Sequence, residues 1–136
     1  MEEQYGFWTS FTVRIGDINY GGHMGNDKFL LLFQDARIRS LQSLGFEETH
    51  IGEGAGVILK EAHVKYLAEV FLGDKLEVGV RFFDLKRTGF SVGFLAKRTS
   101  DDRVVAQGTT VMVAFDYEKR KIARVPEIFK EKIGRF

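Results

Sequence analysis

A chain of 136 residues, with 20 Lys and Arg set against 19 Asp and Glu, has room for one domain and presents no net field to attract nucleic acid. Its content of 44% hydrophobic, 13% aromatic and 29% charged residues excludes disorder and low-complexity sequence. The absence of cysteine removes disulfides, cysteine nucleophiles and thiolate metal sites together, and points to a reducing compartment.

The acidic start Met1-Glu2-Glu3-Gln4 runs directly into a patterned segment, so no targeting leader is expected. No apolar run approaches the ~20 residues that span a membrane. The expectation is a single cytoplasmic domain over residues 1–136, with no membrane or nucleic-acid partner.

From Phe7 to Ile15, Phe7, Phe11, Val13 and Ile15 alternate with Ser10, Thr12 and Arg14, the pattern of a half-buried strand. The stretch Gly16 to Asp27 is too rich in glycine for a regular element, and Asn26 and Asp27 stand where a helix N-cap belongs. A helix is predicted from Lys28 to Leu44, with Phe29, Leu30, Phe33, Ala36, Leu41 and Leu44 at helical spacing and Gly45 as its stop. Leu31 and Leu32 widen its apolar stripe, which predicts cover on more than one side.

Phe46 to Gly56 lacks periodicity and reads as a mobile loop. Four strand-like runs follow, at Val57–Val70, Asp74–Asp84, Phe90–Arg98 and Arg103–Phe115. The second is the cleanest, with Leu76, Val78, Val80 and Phe82 alternating against Lys75, Glu77, Gly79 and Arg81. Pro126 is placed to open a short helix bearing Ile128, Phe129 and Ile133. One strand, one long helix and a run of antiparallel strands define an α+β protein in which the sheet must curve around the helix. Such a sheet keeps unpaired edges, and an edge invites a second copy, so a homodimer is expected.

Chemistry concentrates between Asp17 and Asp27, where a carboxylate, an imidazole and a helix N-terminus share one glycine-rich loop. Helix-terminal N–H groups can stabilise an oxyanion, and Gly21, Gly22 and Gly25 let backbone approach a ligand closely. Asp17 then serves as general base or nucleophile, and His23 orients a carbonyl or polarises water. The structural alternative makes Asp17 and Asn19 the centres of Asx-turns, Asn26 or Asp27 a helix cap, and His23 a loop histidine.

Phe29, Leu30, Leu32 and Phe33 fit either plain core or the wall of an acyl pocket. His50 and His63 read as surface residues with no metal-ligand spacing, so no metal and no cofactor are expected. Gly52-Glu53-Gly54-Ala55-Gly56 leads into a strand, not a helix, and so is no nucleotide loop. Lys86, Arg87, Lys97, Arg98, Arg120 and Lys121 read as solvated faces, of which some could meet phosphates.

The run Arg14 to Asp27 resembles the start of the central helix in hotdog-fold thioesterases of the 4-hydroxybenzoyl-CoA thioesterase type, with an arginine, an aspartate, an amide or acidic residue, Gly-His, and an asparagine before the helix. The likeness continues in Asp35-Ala36-Arg37, in Tyr66 with Gly73-Asp74, in Arg87 to Ser91 and in Val105 to Gly108. The resemblance implies a curved antiparallel sheet around one helix, with Asp17 as the catalytic carboxylate on an acyl-CoA or acyl-carrier-protein thioester. It also implies that His23 and Asn26 position carbonyl, water or turn, that Gly25, Phe29, Tyr66, Lys86 and Arg87 contact substrate, and that neighbouring subunits of a homodimer or homotetramer complete each site. Asn19 departs from the second aspartate of many relatives, and an amide cannot replace it as a base.

Two alternatives stay open. The motif Gly16-Asp17-Ile18-Asn19 before His23 also looks like that of hotdog enoyl-CoA hydratases, although Tyr20 stands where they have proline and one extra residue separates Asp from His. The other is a non-catalytic acyl-CoA-binding protein, which would have little use for a carboxylate beside its pocket.

Overall fold

The computed structural model describes residues 2–134; Met1 and residues 135–136, which the single-domain expectation includes, lie outside the described residues. Chain order is β1 (Phe7–Thr12), α1 (Asn26–Ser43), β2 (Gly56–Tyr66), β3 (Lys75–Phe83), β4 (Gly89–Arg98), β5 (Arg103–Asp116), β6 (Lys121–Ile122) and α2 (Glu127–Ile133). The strands form one antiparallel sheet in the order β1-β3-β4-β5-β2, with β6 attached to β5. This is the curled sheet with one long helix that the hotdog resemblance implies.

The alternation of β3 selects the faces. Leu76, Val78 and Val80 are fully buried toward α1, joined by Val92, Phe94 and Ala96 of β4 and by Ala106, Met112 and Ala114 of β5. From the helix, Phe29, Leu32, Phe33, Ala36 and Leu41 meet them, each large side chain contributing about 1.5–3 kcal/mol by leaving water. Phe33 stacks on Phe94 at 4.8 Å and lies over Gly108, where a Cβ would sit 2.5 Å from the ring. The missing side chain at Gly108 is thus what lets the helix come down onto the sheet.

Several expectations shift. β1 stops at Thr12; Ile15 opens a 3-10 turn to Asp17 and is solvent-exposed, because the chain must leave the sheet edge to reach α1. The helix starts two residues earlier than its apolar pattern, with Gly25 as N-cap and Asn26 and Asp27 already helical. Leu30 and Leu31 are exposed, so in one chain the helix is covered on one face only. The β2 strand begins at Gly56 and ends at Tyr66, with a register shift between Leu59 and Glu61 that breaks the simple alternation. The loop from Phe46 to Ala55 is tied by the Glu47–His50 and Gly52–Ala55 bridges and buries Ile51 and Ala55. It is further held where Arg37, buried on α1, forms an ion pair with Glu48. Pro126 caps α2, which buries Phe129 and Ile133 but leaves Ile128 exposed.

The opposite, convex face is partly roofed by the N-terminal segment. Trp8 and Tyr5 fold over Gly79, where a Cβ would lie 2.9 Å from the indole, and the Trp8 Nε1–H donates to the Tyr5 carbonyl at 3.1 Å. Lys97, held by Glu2 and Asp102, pins the same segment to the sheet.

Candidate active site

The loop from Arg14 to Gly25 is shaped by its own polar groups. The Arg14 N–H donates to Asp17 Oδ2 at 2.9 Å, and the Gly25 N–H donates to the Asp17 carbonyl at 3.0 Å, tying the carboxylate-bearing turn to the N-cap of α1. Asn19 Oδ1 accepts the Gly21 N–H at 2.9 Å, an Asx-turn, which fits the structural reading of that residue. The Met24 N–H donates to the Val70 carbonyl at 2.7 Å and fastens the loop to the segment after β2.

Asp17 lies at the edge of the sheet beside α1. Its side chain is 13% exposed, and Arg14 Nε stands 3.8 Å from Oδ2. It borders a groove of about 480 Å³ with Ser10, Arg14, Lys28, Asp35 and Arg39 among the lining residues. Oδ2 is engaged by Arg14, while Oδ1 accepts no hydrogen bond among the described residues. A carboxylate with one oxygen anchored and the other free has the geometry of a positioned base.

His23 and Asn26 line a separate cavity of about 260 Å³ with Phe29 and Tyr66. The Tyr66 hydroxyl donates to the Asn26 carbonyl at 3.1 Å, and its ring meets Phe29 edge-on at 5.5 Å. His23 Nδ1 lies 3.2 Å from the Met24 carbonyl. The structure therefore groups His23, Asn26, Phe29 and Tyr66 but sets Asp17 on the other side of the helix start. Gly25 stands between the two cavities. A Cβ there would fall 2.7 Å from Asp27 Oδ1; no side chain of the N-cap closes the helix start, the Lys28 N–H is taken by the Gly25 carbonyl at 3.0 Å, and the Asn26 and Asp27 N–H groups have no hydrogen-bond partner among the described residues.

Lys86 and Arg87 are not brought to this region within one chain. They occupy the β3–β4 loop, beside Gly89 and Val113, whereas Asp17 and α1 begin at the opposite end of the strands, beside Asp74 and Val70. Of the other cations, Lys97 is consumed by Glu2 and Asp102, and Arg98 by Asp101 and Asp74. The sequence gives no site role to Lys28 or Arg39, and Asp35 enters only through the Asp35-Ala36-Arg37 likeness, yet all three share the Asp17 groove. Their spacing of seven and four residues along α1 is the signal that placed them on one stripe.

These features fit a known family. Residues 13–133 match the model of the thioesterase-like superfamily, and the chain belongs to that superfamily. Among curated proteins, it is 28% identical over 116 residues to the L-carnitine dehydrogenase/betainyl-CoA thioesterase of Agrobacterium fabrum, covering 84% of this chain and 23% of that protein. The namesake from Ruegeria pomeroyi is 26% identical over 111 residues, with 81% and 22% covered. The chain thus spans less than a quarter of the length of the curated relatives it matches.

Two solved structures share the fold. The Synechocystis 1,4-dihydroxy-2-naphthoyl-CoA thioesterase superposes with a TM-score of 0.85 at 21% identity, over 94% of this chain and 95% of that one. A Staphylococcus aureus protein in complex with CoA gives 0.85 at 22% identity, over 94% and 81%.

Proposed function

We propose that this chain hydrolyses an acyl-CoA or acyl-carrier-protein thioester, with Asp17 as general base or nucleophile and the N-terminus of α1 as the oxyanion site. The observation that carries the reading is the half-free carboxylate of Asp17, tied through its own backbone to an uncapped helix start. In the base-catalysed form, a water oxygen attacks the thioester carbonyl carbon while Asp17 accepts the water proton. The resulting oxyanion faces the helix N–H groups, and the C–S bond then breaks as the thiolate leaves with that proton. In the nucleophilic form Asp17 attacks directly, releasing the thiolate and forming an anhydride that water opens. Membership of the thioesterase-like superfamily and the thioesterase half of the curated relatives' names support the substrate class.

The hydratase alternative needs Asp17 and His23 aimed at one water, and their placement in different cavities disfavours it. Dimerisation completes the proposal. The outer edge of β2 pairs with no strand among the described residues, and Ile58, Leu59 and Tyr66 on β2 and Leu30 on α1 are exposed. Antiparallel pairing of β2 with a second copy of itself sets the Tyr66 end against the other copy's Ile58 end. Lys86 and Arg87 of that copy then approach the cavity that their own chain keeps distant, where they can meet phosphates. A non-catalytic binder would lack any need for the anchored carboxylate.

The test is thiol release by the purified protein from a panel of aliphatic, aromatic and betainyl-CoA esters, with a crotonyl-type ester followed for loss of its double bond. Release from at least one ester at enzymatic rates is expected; tight ester binding without release over hours would refute it. The double variant Lys86→Ala with Arg87→Ala is expected to raise KM more than it lowers turnover, because remote phosphate contacts supply uniform binding. Sedimentation of a fully active monomer would overturn the shared site.

A further inference from the structure

A concavity of about 660 Å³ lies on the convex face of the sheet, away from α1. Strand register explains its shape. Arg81 on β3 is opposite Gly93 on β4, Gly93 is opposite Thr109 on β5, and Thr109 is opposite His63 on β2, so the four form one row across the sheet. The adjoining row runs Lys65, Gln107, Leu95 and Gly79, and its far end is roofed by Tyr5 and Trp8. Because Gly93 interrupts the first row with no side chain, the Arg81 stem can lie down across it, beside Thr109, and Tyr5 and Lys65 line the same groove.

No carboxylate is among the residues lining this groove, which include Arg81, Lys65 and His63. Glu61 lies 3.6 Å from His63 but is not among the lining residues. Neither Arg81 nor Lys65 takes part in an ion pair among the described residues, unlike Lys97 and Arg98 on the same sheet. The Arg81 guanidinium is nonetheless fixed in place, lying 4.1 Å over the Phe83 ring. Its stem crosses Gly93 so closely that a Cβ there would be 3.2 Å from both Cγ and Nε. A stacked, unpaired guanidinium is preorganised for a planar fork onto phosphate oxygens, and Lys65, Thr109, Gln107 and Gln4 add neutral and cationic donors around the same groove. The volume is of the size that small-molecule sites have.

We propose that this convex-face groove is a second binding site, for the phosphate groups of a small phosphorylated ligand, with Arg81 and Lys65 as its anion-binding pair and Gly93 as the gap that seats the Arg81 stem. The ligand chemistry is that of a pyrophosphate or nucleotide, whose second phosphate would reach from Arg81 toward Lys65. The site is independent of the thioesterase reading, since binding there is measurable with no thioester present.

The experiment titrates inorganic pyrophosphate and ADP into the wild-type protein by calorimetry at low ionic strength. Saturable binding is expected, with Kd raised about tenfold or more in Arg81→Gln and in Lys65→Gln. Gly93→Ala keeps both cations but displaces the Arg81 stem, and it too is expected to weaken binding. Unsaturable binding, or equal affinity in wild type and all three variants, would overturn the proposal, because affinity would then follow net charge and not a built groove. Adding CoA to the pyrophosphate-saturated protein separates the ligand's sources. Displacement assigns the groove to the nucleotide half of a thioester, and its absence assigns it to a separate phosphorylated effector. Folding of each variant is checked by its melting temperature, and thiol release by the variants without added anion is read separately.

Discussion

Replacing Asp17 by Asn separates turn-making from catalysis, because the two roles ask different things of the same atoms. The structural role is one hydrogen bond: Asp17 Oδ2 accepts the Arg14 N–H at 2.9 Å, and an amide oxygen can accept the same bond. The loss is the difference between an ionised and a neutral acceptor, about 1 kcal/mol. Arg14 is 77% exposed, and its Nε at 3.8 Å adds about 0–1 kcal/mol of screened attraction. A total near 1–2 kcal/mol lowers Tm by roughly 3–8 °C for a chain of this size and leaves the protein folded at 25 °C. The catalytic role is lost almost entirely, since an amide neither accepts a proton from water nor attacks a carbonyl. Turnover is expected to fall about 10²-fold or more, equivalent to at least about 2.7 kcal/mol of barrier. The assay is thiol release on the best ester of the panel, run beside calorimetric binding of that ester and sedimentation. Turnover within about threefold of wild type, in a variant with normal Tm and normal assembly, would refute the assignment. His23 would then be the residue to replace next; if Asp17 is the base, His23→Ala is expected to have the milder effect.

Gly108→Ala should lower stability by about 1–3 kcal/mol, because the new methyl would meet the Phe33 ring at 2.5 Å and that ring is already stacked on Phe94; a denaturant midpoint equal to wild type would show that the helix rides higher than described. Thr110→Val should raise Tm, since the Thr110 hydroxyl is buried without a hydrogen-bond partner among the described residues and valine fills the same shape at no polar cost. The Arg98 hydrogen bonds hold the Asp101 carboxyl below the ordinary carboxylate range. A lowered folded-state value means that its stabilisation is present above the unfolded value, about pH 4, and is lost as pH falls through the folded one. Asp101→Asn should therefore flatten the acid limb of a Tm-versus-pH curve below about pH 4 and leave the neutral plateau nearly parallel to wild type; an unchanged acid limb would remove Asp101 from acid unfolding.

Where neighbours in sequence decide the structure, the sequence was readable. The period-two alternation of Leu76, Val78, Val80 and Phe82 identified β3 and its buried face, and the helical spacing of Phe29, Phe33, Ala36 and Leu41 identified α1. The glycine-rich run ending at the helix start picked out Asp17 as the candidate catalytic carboxylate. Boundaries were less secure, because Asn26 and Asp27 suit a cap and a first turn equally well, and the choice of Gly25 rests on its bond to Asp17, which the folded loop creates.

Other features belong to tertiary structure alone. That Asp17 and His23 face different cavities follows from which side of the helix start each turn of the loop falls on. That Lys86 and Arg87 lie at the far end of the strands follows from the strand order β1-β3-β4-β5-β2. The row of His63, Thr109, Gly93 and Arg81 is drawn from four strands separated by up to 46 positions, from His63 to Thr109, and exists only because hydrogen-bond register aligns them. Local propensity fixes which face a side chain takes within its own strand. Which distant side chains it then stands beside is set by pairing, whose energy is gained only when the whole sheet closes over its helix.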